Sequence, residues 1–140
     1  MRFQDKVAIV TAAASGIGKA TSRILASEGA HLVAVDVNAR ALAALVEEID
    51  SAGGNISTVE ANVLESQPVE ELVDSVVSTF NRIDILVNAV GGSTIIENSA
   101  ATVDNLTLED WDKVIQFNLR GTFLCTNSII KQMKKQRNGK

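Results

Sequence analysis

We predict an α/β fold in which a doubly wound parallel sheet of about four strands is flanked by helices, and three observations support this prediction. Four segments of strand length recur at intervals of about 25 residues; three are apolar runs and the third alternates in part. A stretch with helical periodicity separates each segment from the next. Strands that alternate with helices in this way form right-handed βαβ units with parallel strands. The 140 residues suffice for one domain, so 1–140 is predicted to be a single domain.

The first strand, turn and helix are predicted between Lys6 and Arg23. Val7 to Val10 form a continuous apolar run, as expected for a strand that is buried on both faces. Gly16 and Gly18 lack a Cβ, so the backbone can turn sharply there and approach a ligand. The N-terminus of a helix that begins at this turn would attract an anion such as phosphate. The helix is indicated by apolar residues at helical spacing, namely Ile17, Ala20, Ile24 and Leu25.

This glycine turn has two other interpretations. Many turns between a strand and a helix need glycine for geometry alone, so the turn by itself is weak evidence for a ligand. A P-loop is excluded, because its spacing would require Gly at 13 and Ser or Thr at 20, where the chain has Ala13 and Ala20.

The second strand, His31 to Asp36, ends in a carboxylate 18 positions after Gly18. Dinucleotide sites place an acidic residue about twenty positions after the glycines, where it binds the ribose hydroxyls. Such a carboxylate repels a 2′-phosphate, so NAD is predicted rather than NADP. The alternative is a carboxylate at a strand end that only faces water.

The remaining elements follow in the same alternation. The second helix is predicted to begin after Asn38, a favourable N-cap, and to stop at Gly53-Gly54. Ile56 to Val63 is predicted to be the third strand, ending near Asn62-Val63. Pro68 suits the first turn of the third helix. Ile83 to Val87 is predicted to be the fourth strand.

The last third of the chain is predicted to be a long loop and a long helix. Asn88 to Leu106 has no clear periodicity, and a loop of that length usually has a function. Thr107 to Asp110 resembles a capping box that opens the helix. The basic end of this helix is interpreted as a solvated turn that complements the helix dipole, rather than a nucleic-acid patch. Apolar residues at helical spacing are Trp111, Val114, Ile115, Leu119, Phe123, Leu124, Ile129, Ile130 and Met133.

Composition narrows the class of partner. The net charge of −4 and a pI near 5.0 argue against a general nucleic-acid binder. No apolar segment approaches the roughly twenty residues that cross a bilayer, so no membrane partner is predicted. The single cysteine, Cys125, cannot form an internal disulfide and fits a cytoplasmic protein. A small-molecule partner is therefore predicted, and no metal site.

Together these motifs resemble the short-chain dehydrogenase/reductase family over Lys6 to Lys140, which implies a Rossmann-like fold. The family's phosphate turn, Thr-Gly-x-x-x-Gly-x-Gly, corresponds to Thr11 to Gly18, with Ala12 in place of the first glycine. The extra methyl group is expected to weaken or slightly displace cofactor binding. The resemblance implies that the cofactor is bound here by Ala12, Ser15, Gly16, Ile17 and Gly18.

Two further family motifs concern the same cofactor. The Asp-Val pair that holds adenine resembles Asn62-Val63, where the Asn62 amide can still accept a hydrogen bond. The Asn-Asn-Ala-Gly motif resembles Asn88-Ala89-Val90-Gly91, which implies cofactor contacts at Asn88, Ala89 and Gly91. The alternatives are that Asn62 only terminates a strand and that Asn88 only satisfies loop amides.

The long helix contains Asn118-Leu119-Arg120-Gly121, which resembles the family's Asn-x-x-Gly motif. The resemblance implies that Asn118 belongs to a catalytic tetrad and helps to hold a proton-relay water. The alternative is an asparagine in mid-helix whose side chain bonds to a carbonyl.

The resemblance implies an NAD-dependent oxidoreductase that transfers hydride between a nicotinamide and an alcohol or carbonyl substrate, with this chain as the cofactor-binding half. It also implies a homodimer or homotetramer. In the family, a Ser and a Tyr-x-x-x-Lys follow the next strand, and this sequence has no tyrosine. The 140 residues alone are therefore not expected to catalyse the reaction.

The sequence is compatible with two other functions. A non-catalytic dinucleotide-binding module or partner subunit would also lack the Tyr-x-x-x-Lys centre, and a methyltransferase with an adenosyl cofactor is a weaker possibility. The sequence is expected to be the first part of a longer enzyme or a truncated product. Without a fifth strand, the fourth strand is expected to be an open edge.

Overall fold

The computed structural model describes all 140 residues, which form four strands and four helices in alternation. The strands are β1 (Val7–Thr11), β2 (His31–Asp36), β3 (Asn55–Glu60) and β4 (Ile85–Val87). The helices are α1 (Gly16–Ser27), α2 (Ala39–Ser51), α3 (Ser66–Phe80) and α4 (Leu108–Gln136), and a short 3-10 turn covers Val103–Asn105. Each predicted strand and helix is present, which confirms the fold class.

All strands of the sheet are parallel, and their spatial order is β3-β2-β1-β4. The chain moves outward from β1 through β2 to β3 and then returns to the other side of β1. Strands that lead away in opposite directions leave a crevice at their carboxyl ends, which is the usual ligand site of such sheets. Here the crevice lies between β1 and β4.

Helices cover both faces of the sheet, and alternate residues of the strands face different helices. One face of the sheet packs against α3 and α4, with Val7, Ile9, Val33 and Val35 in this core. The other face packs against α1 and α2, with Ala8, Val10, Leu32 and Ala34 in that core. This burial on both faces explains the continuous apolar runs of β1 and β2.

Two strand boundaries differ from the prediction. β3 ends at Glu60, before Asn62-Val63, because its partner β2 ends at Asp36 and pairs with Glu60. β4 begins at Ile85 rather than Ile83. The Gln136 side chain bonds to both the N–H and the carbonyl of Ile83, at 3.1 and 2.7 Å, so a side chain takes the place of a strand partner there.

Helix α1 exposes most of the apolar residues that predicted it. Leu25 is buried, whereas Ile17, Ala20 and Ile24 are exposed. A Cβ on Gly18 would lie 2.0 Å from the carbonyl oxygen of Ala12, so the helix begins too close to the sheet for a larger side chain. Small residues therefore occupy much of the buried face, which consists of Gly18, Ser22, Leu25 and Ala26.

Helix α4 also exposes part of its apolar pattern. Ile129 and Met133 from this pattern are buried, and so is Cys125. A second row is exposed: Leu108, Trp111, Ile115, Leu119, Phe123 and Ile130. None of the helices is both long and apolar enough to span a membrane.

The outer edge of β4 is partly paired, contrary to the expected open edge. The main-chain N–H of Lys140 donates to the carbonyl of Asp84, and the N–H of Leu86 donates to the carbonyl of Lys140, both at 2.9 Å. These two bonds have the pattern of a parallel neighbour. The residues after α4 therefore occupy the start of this edge.

Candidate dinucleotide-binding site

The predicted cofactor residues lie at the carboxyl ends of the strands, beside the crevice between β1 and β4. A cavity of about 240 Å³ opens there. No lysine or arginine lines it. Six of the predicted residues contribute to its lining: Ala12, Ser15, Asp36, Asn62, Val63 and Gly91. The topology thus brings together residues from four separate segments of the chain.

The N-terminus of α1 has free hydrogen-bond donors. The first-turn amides of Gly16, Ile17 and Gly18 have no carbonyl partner within a helix. Ser15 occupies the N-cap, and its side chain makes no capping hydrogen bond. By contrast, Asn38 caps α2 by accepting from Ala41 N, as predicted, at 3.0 Å. The donors of α1 remain available to an anion, and the helix dipole favours one.

The turn before α1 is held in an unusual conformation. Ala12 has a φ of +48°, in the left-handed region that favours glycine. An alanine there costs about 1 kcal/mol in backbone strain. The turn is fastened to β2, because Ala13 N donates to Val35 O and Ala14 N donates to an oxygen of Asp36, both at 3.1 Å. The chain therefore forms a left-handed turn with an alanine at the position where the family motif has glycine.

Asp36 organises the loops at the end of β2. One carboxylate oxygen accepts from Ala14 N at 3.1 Å and the other accepts from Asn38 N at 3.0 Å. Each oxygen still has a lone pair, since a carboxylate offers about four acceptor positions. The residue lines the cavity, so it can accept hydrogen bonds from a ligand while it fixes the phosphate turn.

Asn62 and Val63 offer an acceptor and a donor side by side. Asn62 Oδ1 accepts from Leu64 N at 3.1 Å, which leaves one lone pair, and Asn62 Nδ2 donates to Glu65 Oε1 at 2.9 Å. The Val63 N–H donates to no group of the chain. An acceptor beside a donor complements the edge of adenine, which presents an amine beside a ring nitrogen acceptor.

Thr11 joins the ends of β1 and β4. Its hydroxyl accepts from Ala89 N at 3.0 Å and donates to Val87 O at 3.4 Å. The Ala89 N–H, within a predicted cofactor residue, is therefore engaged by the protein itself. Asn88 Nδ2 donates to Thr126 Oγ1 at 3.2 Å, whereas its buried Oδ1 has no partner. A buried acceptor without a partner is costly, so this oxygen fits a ligand donor.

Asn118 fastens α4 to the loop after β4. Its Oδ1 accepts from Gly92 N at 2.9 Å, and its Nδ2 donates to the carbonyls of Gly92 and Val114, both at 2.8 Å. A Cβ on Gly91 would lie 2.7 Å from that oxygen, so glycine permits this approach. The side chain thus bonds to a helix carbonyl, as the simpler interpretation stated, and also positions the loop.

The free polar groups of the site define the kind of ligand that would suit it. Burial raises the pKa of the Cys125 thiol to about 11, so the single thiol of the chain stays protonated near neutral pH. No group of three or more His, Cys, Asp or Glu side chains is placed to hold a metal ion. The free donors of α1 and the acceptors of Asp36, Asn62 and Asn88 suit a ligand with phosphate, hydroxyl and amine groups.

Sequence reasoning missed three residues that shape this site. Phe117 lines the cavity from α4, Glu65 holds the Asn62 amide, and Thr11 fixes the crevice. Thr11 begins the phosphate motif, and Glu65 follows Asn62 by three positions, at the start of a helix. These two positions, beside predicted motifs, could have identified both residues from the sequence. Phe117 could not be identified from the sequence, because the residues that it meets in the cavity are remote in sequence.

Comparisons with known proteins agree with this fold. The family model described as short chain dehydrogenase matches residues 6–140. The chain is 42% identical over 139 residues to the 3-oxoacyl-[acyl-carrier-protein] reductase FabG of Thermotoga maritima, covering 99% of this chain and 54% of that protein. A crystal structure of NAD⁺-bound xylitol dehydrogenase has a TM-score of 0.87 at 30% identity, covering 99% of this chain and 52% of that one.

A metagenomic short-chain oxidoreductase, crystallised in complex with NADP, has a TM-score of 0.87 at 27% identity. That match covers 99% of this chain and 61% of the other. The chain thus spans about half the length of the curated relative that it matches. The residues matched by the family model include the phosphate turn and every predicted site residue. This chain therefore belongs to the short-chain dehydrogenase family.

Proposed function

We propose that this chain is the NAD-binding part of an oxidoreductase that transfers hydride between a nicotinamide and a small-molecule alcohol or ketone. The observation that carries the proposal is the uncapped N-terminus of α1, which opens beside a cavity lined by Asp36, Asn62 and Val63. When bound, the nicotinamide supplies or accepts the hydride. The residues of this chain bind and orient that cofactor.

The phosphate turn is assigned to the diphosphate. The amides of Gly16, Ile17 and Gly18 and the hydroxyl of Ser15 donate to its oxygens, and Ala12 shapes the turn. Anions at a helix N-terminus gain about 0.3–1 kcal/mol from the dipole alone, in addition to hydrogen bonds. The small residues matter because only a turn without large side chains lets a diphosphate approach the main chain.

Asp36 is assigned to the ribose next to adenine. Its free lone pairs accept from the two hydroxyls, and its charge opposes a 2′-phosphate. The absence of lysine and arginine from the cavity lining also favours NAD, because a phosphate is usually paired with a basic residue. Among the relatives, the xylitol dehydrogenase binds NAD⁺ and the metagenomic oxidoreductase binds NADP, so family membership alone is compatible with either cofactor.

The remaining predicted residues hold the two ends of the cofactor. Asn62 and Val63 accept from and donate to adenine, while Asn88, Ala89 and Gly91 form the wall after β4. Asn118 is assigned to the catalytic centre of the longer protein, where it helps to hold a proton-relay water. Proton transfer itself requires the Ser and Tyr-x-x-x-Lys that the family places beyond this stretch, so this chain alone is expected to bind without turnover.

Calorimetric titration tests the proposal. The unaltered chain is expected to bind NAD⁺ at least about 100-fold more tightly than NADP⁺, because a phosphate beside Asp36 is repelled. In Asp36→Asn the charge is removed while one acceptor oxygen remains, so this ratio should fall to within about tenfold. Asp50→Asn, which removes an exposed carboxylate at the end of α2, is the matched control. No heat from either dinucleotide would refute the proposal.

We assign the exposed row on α4 to contact with a second copy of the chain, in a homodimer or homotetramer. Trp111, Leu119 and Phe123 are 52%, 59% and 64% exposed, on one side of the helix. Burying such side chains is favourable by roughly 1.5–3 kcal/mol each. Sedimentation of Phe123→Glu should give monomer where the unaltered chain gives dimer or tetramer. A cytoplasmic location is proposed with this, supported by the unpaired Cys125.

A further inference from the structure

Asn62 stands where the family motif has an aspartate. An aspartate could only accept hydrogen bonds from a ligand there, whereas an asparagine amide can present either its oxygen or its NH₂ group. Rotating the amide by half a turn exchanges the two groups. An amide that rotates freely would therefore not distinguish a base that donates from a base that accepts. The neighbourhood of Asn62 decides which group a ligand meets.

Two contacts fix this amide in one orientation. Leu64 N–H donates to Asn62 Oδ1 at 3.1 Å, and the carboxylate of Glu65 accepts from Asn62 Nδ2 at 2.9 Å. A carboxylate cannot accept from an oxygen and an N–H cannot donate to an NH₂ group, so the opposite orientation would lose both hydrogen bonds. The NH₂ group is engaged, and the spare lone pair of Oδ1 remains.

The Glu65 side chain makes this contact instead of capping helix α3. It occupies the N-cap of α3, where Ser, Thr, Asp and Asn are preferred, and its side chain makes no capping hydrogen bond. The residue is held close to Asn62 by a second bond, from Glu65 N to Asn62 O at 3.1 Å. The turn is tied to α4 as well, because Arg120 Nε donates to Leu64 O at 2.6 Å.

We propose that Glu65 is a specificity-determining residue, which holds the Asn62 amide as an acceptor and so makes the site select adenine over a 6-oxo purine. The inference rests on the proposed function, because it concerns the base of the same dinucleotide. Adenine presents an amine donor beside a ring acceptor, which match Asn62 Oδ1 and the free Val63 N–H. Hypoxanthine presents a carbonyl oxygen beside a ring N–H. Its oxygen would face the acceptor Asn62 Oδ1, and its ring N–H would face the donor N–H of Val63, so neither hydrogen bond could form.

The experiment compares NAD⁺ with nicotinamide hypoxanthine dinucleotide, which differs only in the base, by calorimetry on the 140-residue chain. The unaltered chain is expected to prefer NAD⁺ by roughly 100-fold, since two hydrogen bonds are mismatched with the analogue. Glu65→Ser removes the carboxylate and supplies a favoured N-cap, so the helix is retained. The preference should then fall by about tenfold, because the freed amide can turn its NH₂ group to the 6-oxo oxygen.

Two further variants separate this role from a general loss of charge or fold. Glu71→Ser removes another exposed carboxylate of α3 that also accepts from a side-chain amide, Gln67 Nε2 at 2.9 Å, and it should keep the full preference. The double variant Asn62→Asp with Glu65→Ser should regain the preference, since an aspartate accepts in either orientation. The Asn62 side-chain NH₂ signals in NMR spectra should shift in Glu65→Ser and not in Glu71→Ser.

The possible outcomes are distinct. A lower preference in Glu65→Ser that Asn62→Asp restores supports the inference. An unchanged preference in Glu65→Ser, in a chain that binds NAD⁺, overturns the inference and leaves the proposed function intact. Failure of the unaltered chain to bind either dinucleotide overturns the proposed function and this inference together.

Discussion

Polar groups are paired at the amino end of the β-sheet and partly unpaired at its carboxyl end. At the amino end, the buried Asp84 carboxylate accepts from Val7 N at 2.9 Å and from Arg82 through two bonds of 2.7 Å. Lys6 Nζ lies 3.8 Å from it, and Asn138 Nδ2 donates to it at 3.4 Å. At the carboxyl end, by contrast, the first amides of α1, the Val63 N–H and the buried Asn88 Oδ1 have no partner within the chain.

This difference separates the residues that stabilise the fold from those that the proposed function assigns to binding. A buried charge must be paired, so the Asp84 network joins β1, β4 and the end of α4. Donors and acceptors without partners lower stability, and a protein retains them where a ligand completes their hydrogen bonds. Changes at the amino end should therefore reduce stability and spare affinity, and changes at the carboxyl end should alter affinity.

The largest effect is expected for Gly18→Ala, at the carboxyl end. Its Cβ would lie 2.0 Å from Ala12 O and 2.8 Å from Ala12 C, both backbone atoms, so the turn must move away from the helix. We expect a loss of about 3 kcal/mol in unfolding free energy and a fall of more than about 100-fold in NAD⁺ affinity. Urea denaturation and calorimetry measure the two.

Gly16→Ala is the control for this prediction. A Cβ there meets nothing within 4 Å, although its φ is +48°, so the cost should be about 1 kcal/mol. Equal losses in the two variants would contradict the packing explanation.

Asp84→Ala tests the amino end. The change leaves Arg82 and the buried Val7 N–H without their acceptor, and Arg82 is about two-fifths exposed, so water compensates in part. We expect a loss of about 2–3 kcal/mol in unfolding free energy, with NAD⁺ affinity within twofold of the unaltered chain. A large fall in affinity at full stability would contradict the separation of the two ends.

Acid should weaken the same network. Burial alone would raise the pKa of Asp84, but the hydrogen bonds from Arg82 and Val7 N together with the nearby charges lower this pKa below its ordinary 3.8. A lowered pKa in the folded state means that the stabilisation is complete above the ordinary value and is lost as pH falls below it. Unfolding free energy measured between about pH 5 and 2 should therefore decline less steeply in Asp84→Asn than in the unaltered chain.

The smallest effect is expected for Ala12→Gly, which restores the family's first glycine. Relief of the strained φ is offset in part by the greater freedom of glycine in the unfolded chain, so stability should rise by only about 0.5 kcal/mol. NAD⁺ affinity should rise about threefold if the methyl group crowds the cofactor. Thermal denaturation and calorimetry of the variant measure both changes, and weaker binding would contradict this account of Ala12.

Much of the fold could be predicted from local patterns. Apolar runs predicted β1, β2 and β4, whereas the partly exposed β3 was predicted from partial alternation. The runs of β1 and β2 are continuous because these strands are buried on both faces. Asn38 and Thr107 predicted two helix starts, and both cap as expected: Asn38 accepts from Ala41 N, and Thr107 accepts from Asp110 N at 3.1 Å. The phosphate turn and Asp36 could be placed because strand order and spacing bring them to one crevice.

Helix faces and side-chain partners could not be predicted in this way. Helix α4 carries apolar residues over a wide face, so periodicity gave no reason to expect Phe123 to be exposed. The partner of Asn62 was also undetermined, since an asparagine near a strand end can bond to several groups. Whether the Ala89 N–H is free depended on Thr11, 78 positions away.

The sequence by itself determined the order of strands and helices and the glycine turn with its carboxylate, because these follow from local periodicity and backbone stereochemistry. The tertiary structure alone decided which polar groups are paired, as in the Asp84 network, and which stay free, as at the start of α1. The physical reason is that a hydrogen bond requires contact within about 3 Å. Residues remote in sequence reach that distance only after the chain has packed.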